Sequence, residues 1–322
     1  MLETVQPRPR TQNVYVKNGK PLVAKVPHYN GDYLRASVEK SLELLGGLEK
    51  SIQTGDKVML KPNFNCSYAT PLSTNLDFLA TAIEVLQDAG ATVTVGELSG
   101  RADWPTEKVL QNLGVMPVLH RHNVQFIDFQ YDQWVTLEVD GKEWKSFRVP
   151  RSIYEANKRV YLPNMRTHSA GRYSGALKLS VGYIDLDDRD YLHEDKNTVE
   201  ARIAELNLAW QPNLVIMDAR RNTLGWHGRG NYVYSNLIMA SGDMVAIDAE
   251  GVKILKSYGA ENRLTDVPVQ EVGQLKAAAA HGIGSLDYEI VESTPHLSTE
   301  QTGNEITDPA LLAIAADMNK AK

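Results

Sequence analysis

The sequence predicts an α/β fold, a mainly parallel sheet with flanking helices plus a small antiparallel insertion. Three observations predict it. Short runs rich in valine, isoleucine and leucine alternate with longer stretches whose apolar residues recur at three- and four-residue spacing. A strand–helix–strand unit is complete between residues 55 and 97, and such a unit pairs its strands in parallel with a right-handed crossover. Several apolar runs also stop on polar side chains, as they do in open sheets that bind ligands beyond their strand ends.

In chain order, residues 1–30 read as an N-terminal arm with short strands at 13–16 and 22–26 about an Asn18-Gly19 turn. Residues 32–46 have helical spacing, with Gly46 and Gly47 as the stop signal. Residues 55–63 form a buried strand ended by Pro62. Ser73, Thr74 and Asn75 offer an N-cap, and Leu76, Leu79, Ile83, Leu86 and Ala89 then share one helix face before Gly90. Residues 91–97 form the next strand. Alternation at 124–129, 134–139 and 146–149, with Asp140-Gly141 as a turn, predicts the antiparallel insertion at about 120–150. Residues 159–162 are again a buried strand. Residues 198–208, 243–255 and 267–280 are predicted helices, 213–218 a strand ending on Asp218, and 288–291 the last strand. The α/β domain thus covers 31–295. A polar tail, 296–322, holds one helical stretch at 309–318.

Composition narrows the function. The 322 residues carry a net charge of −6, which lacks the basic footprint of a nucleic-acid binder. No run of about 18 apolar residues occurs and the N-terminus has no apolar signal core, so no membrane partner and a cytoplasmic location are expected. Cys66 is the single cysteine, so neither an intrachain disulfide nor a four-thiolate iron–sulfur cluster can form from this chain. Neither a P-loop nor a Gly-x-Gly-x-x-Gly follows a strand, which leaves no classical ATP or NAD loop.

The candidate site gathers at the strand ends. The stretch from His168 to Lys178 holds an imidazole, a Ser174-Gly175 pair and a lysine. With Arg166 and Arg172 it forms a basic pocket in which bare backbone and cations would hold an anion. His168 is the expected acid/base group, and Lys178 and Arg166 hold the substrate. Lys61 and Asn63, Glu97, and Asp218 stand after other strands and are expected to join them, as substrate ligands or, for Asp218, as a second catalytic group. His193, beside carboxylates, suits a divalent metal or a second acid/base role. The plainer readings are a solvated acidic loop for 185–195, an N-cap for Asp243 and a turn after Asp218. Asp248, set in an apolar helix, is expected to face the crevice, and residues 226–229 to form a lid.

These motifs carry a resemblance. Val58-Met-Leu-Lys-Pro-Asn63, Val95-Gly-Glu-Leu-Ser-Gly100, Arg166-Thr-His168, Ser174 to Lys178, Val215-Ile-Met-Asp-Ala219 and Ala240 to Asp248 resemble, in order, the domain of unknown function 362. Many members of that family carry ferredoxin-type cysteine clusters, so with Cys66 alone this chain would be a version without the cluster. The arrangement of His168, Ser174-Gly175, Lys178 and His193 is also similar to lactate racemase and its relatives. That similarity implies a lysine contacting a nickel-bearing pyridinium cofactor (Lys178), a nickel ligand (His193) and a proton-moving histidine (His168). The family's glycine pair is Gly175-Ala176 here, and Leu-Ser-Val-Gly follows the lysine, so nickel is the second option behind an unspecified divalent metal. The expectation is an enzyme acting on a small carboxylate or hydroxy acid by proton or hydride transfer, with a homo-oligomer compatible. The rival is a non-catalytic binding or electron-transfer accessory protein.

Overall fold

The computed structural model describes residues 2–29, 31–100, 104–225 and 231–293. The first half of the chain runs β1 (Glu3–Val5), β2 (Val16–Lys17), β3 (Lys20–Pro27), α1 (Leu34–Leu45), β4 (Lys57–Lys61), α2 (Leu76–Asp88), β5 (Thr92–Glu97), α3 (Thr106–Leu113), α4 (Val115–Arg121), β6 (Gln125–Asp128), β7 (Trp134–Glu138), β8 (Ser146–Pro150), α5 (Arg151–Glu155) and β9 (Lys158–Tyr161). The second half runs β10 (Arg166–His168), β11 (Arg172–Ser174), α6 (Ala176–Leu179), α7 (Leu186–Glu194), α8 (Val199–Glu205), β12 (Leu214–Thr223), β13 (Tyr232–Ser241), α9 (Met244–Ser257), α10 (Gly273–Ala280) and β14 (Glu289–Glu292). No helix among the described residues is long and apolar enough to cross a membrane.

The main sheet follows the order β14-β3-β13-β12-β9-β4-β5-β6, with β2 paired to β3. The pairings give β13 the opposite direction to every other strand of that path. Strand interiors alternate between two cores: Val58, Leu60, Leu214 and Ile216 pack on one face, Met59, Val215 and Met217 on the other. Both faces being covered explains why these strands read as continuous apolar runs. Helix ends follow local rules: the Asn75 side chain accepts the Phe78 N–H at the start of α2, and Gly46 takes the left-handed conformation after α1.

Several expectations change. The segment read as an arm contributes β3, which lies inside the sheet between β14 and β13. Of the predicted insertion, only β7 and β8 are antiparallel, and β1 joins them in a separate three-stranded sheet. β6 pairs parallel with β5 at the edge of the main sheet. The strand read as ending on Asp218 continues to Thr223 and returns as β13. Only about eight residues separate the two strands, fewer than a parallel crossover needs, and they pair antiparallel. The expected lid at 226–229 and tail at 296–322 lie outside the described residues.

Candidate functional site

β4, β5 and β9 run in parallel, so the chain leaves all three at one edge of the sheet. There a cavity is lined by Lys61, Asn63, Asn65, Glu97, Asn164, Arg166, Ser174, Gly175, Lys178, Leu179, Val181 and Gly182. It is a narrow, mainly polar cleft that is partly open to solvent.

Lys61 and Glu97 close the floor. Lys61 Nζ lies 2.6 Å from Glu97 Oε1, and both side chains are almost wholly buried. Glu97 also accepts the Phe64 and Leu98 N–H groups, at 2.8 and 3.0 Å. Lys61 donates further to the Pro62 carbonyl at 2.7 Å. Burial lowers the Lys61 ammonium, with Glu97 opposing. Gly182 is required above the pair, because a Cβ there would stand 2.6 Å from both Glu97 Oε1 and Lys61 Nζ. Asn63 donates from Nδ2 to the Leu72 carbonyl and to Asn164 Oδ1, at 2.9 and 3.2 Å. That fixes the amide pair between β4 and the strand-like bridge Asn164–Asp218.

The opposite wall is the β10–β11 hairpin and α6. Arg166 and Ser174 are cross-strand partners. Arg166 is 8% exposed, its Nε has no hydrogen-bond partner, and no carboxylate of the described residues pairs with it. Lys178 is mostly buried and likewise has no hydrogen-bond or ion-pair partner among the described residues. Burial, then the charges of Arg166 and Arg189, push its ammonium down to about 7. Two cations therefore line the cavity without a carboxylate partner among the described residues, while the one carboxylate of the lining is engaged by Lys61. Such a wall favours an anion.

Other elements hold this wall. Asp248, fully buried on α9, accepts the Ala176 and Leu177 N–H groups at 2.7 and 2.9 Å. Burial pushes its carboxyl up to about 7 against those bonds. Asn207 donates to the Leu177 carbonyl at 3.0 Å and accepts from Ser180 at 2.6 Å. Arg189 on α7, 5% exposed, donates to the carbonyls of Ile184, Ser99 and Leu98, which locks the loop after β5 against α7.

The structure thus brings Lys61, Asn63, Glu97, Arg166, Ser174 and Lys178 together and leaves five expected residues outside the lining. His168 is two residues beyond Arg166 along β10, towards the hairpin turn, and its Nδ1 accepts the Ala170 and Gly171 N–H groups, both at 3.2 Å. Arg172 pairs with Glu200 at 2.6 Å. Asp218, mid-strand, is held by the Arg220 guanidinium at 2.7 and 2.8 Å. His193 is exposed in the last turn of α7, with Nδ1 2.7 Å from the Arg189 carbonyl. Partial burial of its ring, and then the Lys178 charge, lower its imidazole. Among the described residues no group of three or more His, Cys, Asp and Glu side chains is placed to hold a metal ion. The acidic run serves caps instead: Asp185 accepts the Asp188 N–H and pairs with Arg148. Asp248 faces the hairpin from behind, not the crevice. Arg189 was hidden in the sequence by its acidic neighbours, which give it the look of a solvated face, although Leu186 and Leu192 at helical spacing marked a buried side.

Comparison with known proteins places the chain. The profile described as Domain of unknown function (DUF362) matches residues 58–253. A thylakoid-associated protein of Synechocystis is 25% identical over 229 residues, covering 68% of this chain and 69% of that protein. Among solved structures, a Thermotoga maritima protein is similar at a TM-score of 0.43 and 11% identity, over 76% of this chain. The match spans 59% of that structure's length. The lactate racemase apoprotein of Thermoanaerobacterium thermosaccharolyticum is similar at a TM-score of 0.35 and 10% identity, over 85% of this chain and 83% of its own. The profile match runs from the first strand of the cavity floor to the helix that holds its wall, and the chain belongs to the family of the domain of unknown function 362.

Proposed function

We propose that the cavity binds a small anion of the carboxylate or hydroxy-acid class and that the protein is an enzyme that moves a proton of that substrate. One observation carries this reading: Arg166 and Lys178 face the cavity without a carboxylate partner among the described residues. A buried guanidinium left unpaired is costly, and a bound carboxylate would supply both its charge and its hydrogen-bond acceptors. Arg166 is the clamp. Ser174, Asn63 and Asn164 are placed to meet a hydroxyl or second oxygen. Lys178, held near neutrality in its proton affinity, is the group that can give or take a proton at physiological pH.

Calorimetric titration with a panel of small carboxylates and 2-hydroxy acids tests the binding half. Deuterium exchange at the substrate carbon, followed by proton NMR in heavy water, tests the chemistry. Arg166→Met is expected to weaken binding at least about thirtyfold, the scale of a desolvated charge pair losing one member. Lys178→Met is expected to keep measurable binding and lose exchange by roughly 10²- to 10⁴-fold. Unchanged affinity in the Arg166 variant would overturn the assignment.

A further inference from the structure

Arg166 and Lys178 differ as cations in a way the anion reading leaves unused. The guanidinium cannot lose its proton in water, whereas an amine can become a nucleophile. Lys178 lines the cavity and its Nζ bonds to none of the described residues, so no described group engages a lone pair formed there. Arg166, nine-tenths buried on the adjoining hairpin, would anchor a carboxylate within the same small space. A short acid held in this way would share one small cavity with the amine. Lys61 supplies a further ingredient. Two of its three N–H donors go to Glu97 and Pro62, which leaves one for an oxygen in the cavity.

We propose that Lys178 condenses with the ketone of a short 2-oxo acid whose carboxylate is held by Arg166, forming a covalent imine. This rests on the anion-pocket reading and narrows its substrate class. The amine nitrogen attacks the ketone carbon and a C–N bond forms as the carbonyl electron pair moves onto oxygen. That oxygen takes protons from the amine and from Lys61 and departs as water. Neutral amine, ketone and one proton thus give a protonated imine and water, with no change of oxidation state. The protonated imine withdraws electrons from the neighbouring carbon and so eases the proton loss proposed above. The charged groups around Lys178 are Arg166 on β10, Arg189 and His193 on α7, Lys61 on β4 and Glu97 on β5. Glu97 is neutralised by Lys61, so the surroundings favour the uncharged amine.

The test is reductive trapping. Full-length protein is incubated with pyruvate and sodium borohydride, and modified lysines are mapped by peptide mass spectrometry, with calorimetry of pyruvate binding in parallel. Adduct is expected to concentrate at Lys178 over surface lysines by a large factor. At pH 7 its neutral fraction exceeds that of an ordinary lysine by roughly a thousandfold. Yield at Lys178 is expected to rise with pH and level off above about 7, since protons leave the amine in that range. Lys178→Arg should carry no adduct there, and Arg166→Met should reduce it with the loss of pyruvate binding. Pyruvate that binds through Arg166 but gives adduct spread evenly over surface lysines would overturn the imine and leave the anion pocket standing. No binding of pyruvate or any other small carboxylate would overturn both. The wild-type map decides by itself, so a variant that fails to fold does not block the test.

Discussion

Lys61 and Glu97 both look like ligand-binding residues in sequence, each ending a buried strand, yet their first partner is the other. The register that sets Leu60 opposite Val95 carries their side chains to the same end of adjacent strands, and sequence spacing does not reveal such a register. The pairing is why the cavity stays positive: Glu97 offers its oxygens to Lys61 and two backbone amides, not to Arg166 or Lys178. Removing one member should therefore be severe. Glu97→Gln leaves a buried ammonium without its counter-charge and is expected to lower stability by about 3–5 kcal/mol in urea denaturation. A loss within 1 kcal/mol, about the effect of an exposed pair, would show that the pair is solvated in solution.

At the level of elements, the wall of the cavity is a short hairpin and a four-residue helix, neither of which is stable by itself. Their stability comes from behind, where Asp248, Asn207 and Gln274 take up backbone groups of the segment. Gly175 is the close approach: a Cβ there would overlap the Asp248 carboxylate and the Tyr173 ring. Gly175→Ala is expected to cost about 1–3 kcal/mol by overpacking, and to weaken anion binding as Lys178 moves. Thermal melts and calorimetry on one preparation check both effects. This scale also marks where the sequence is legible. Strand ends in a parallel sheet converge wherever the strands lie, so Lys61, Asn63, Glu97, Arg166, Ser174 and Lys178 could be grouped by rule. His168 and Asp218 could not be separated from them, because hairpin pairing and strand length depend on partners distant in sequence. Asp248 was visible as an acid in an apolar helix, but the backbone amides that explain it are more than seventy residues away.

For the whole molecule, the strand assignments of 55–97 follow from local pattern, whereas the place of residues 20–27 does not. β3 reads as part of an arm because its apolar run is short and its neighbours are irregular. Both of its main-sheet partners come from the far end of the chain, with Val23 opposite Ser241 on one side and Ile290 on the other. Deleting residues 1–29 is therefore expected to abolish cooperative unfolding, whereas deleting residues 1–6 removes only the three-residue β1 and should leave a sigmoidal melt by circular dichroism. A cooperative transition in the longer deletion would show that the sheet closes without β3. The same placement has a consequence for birth on the ribosome. β3 emerges about two hundred residues before its first main-sheet partner, β13. At roughly 5–20 residues per second, that leaves the apolar stretch from Leu22 to Val26 without either of its main-sheet partners for about 10–40 s. During that interval nascent chains on one message can pair with each other, and a holding chaperone on the N-terminal segment would guard against it.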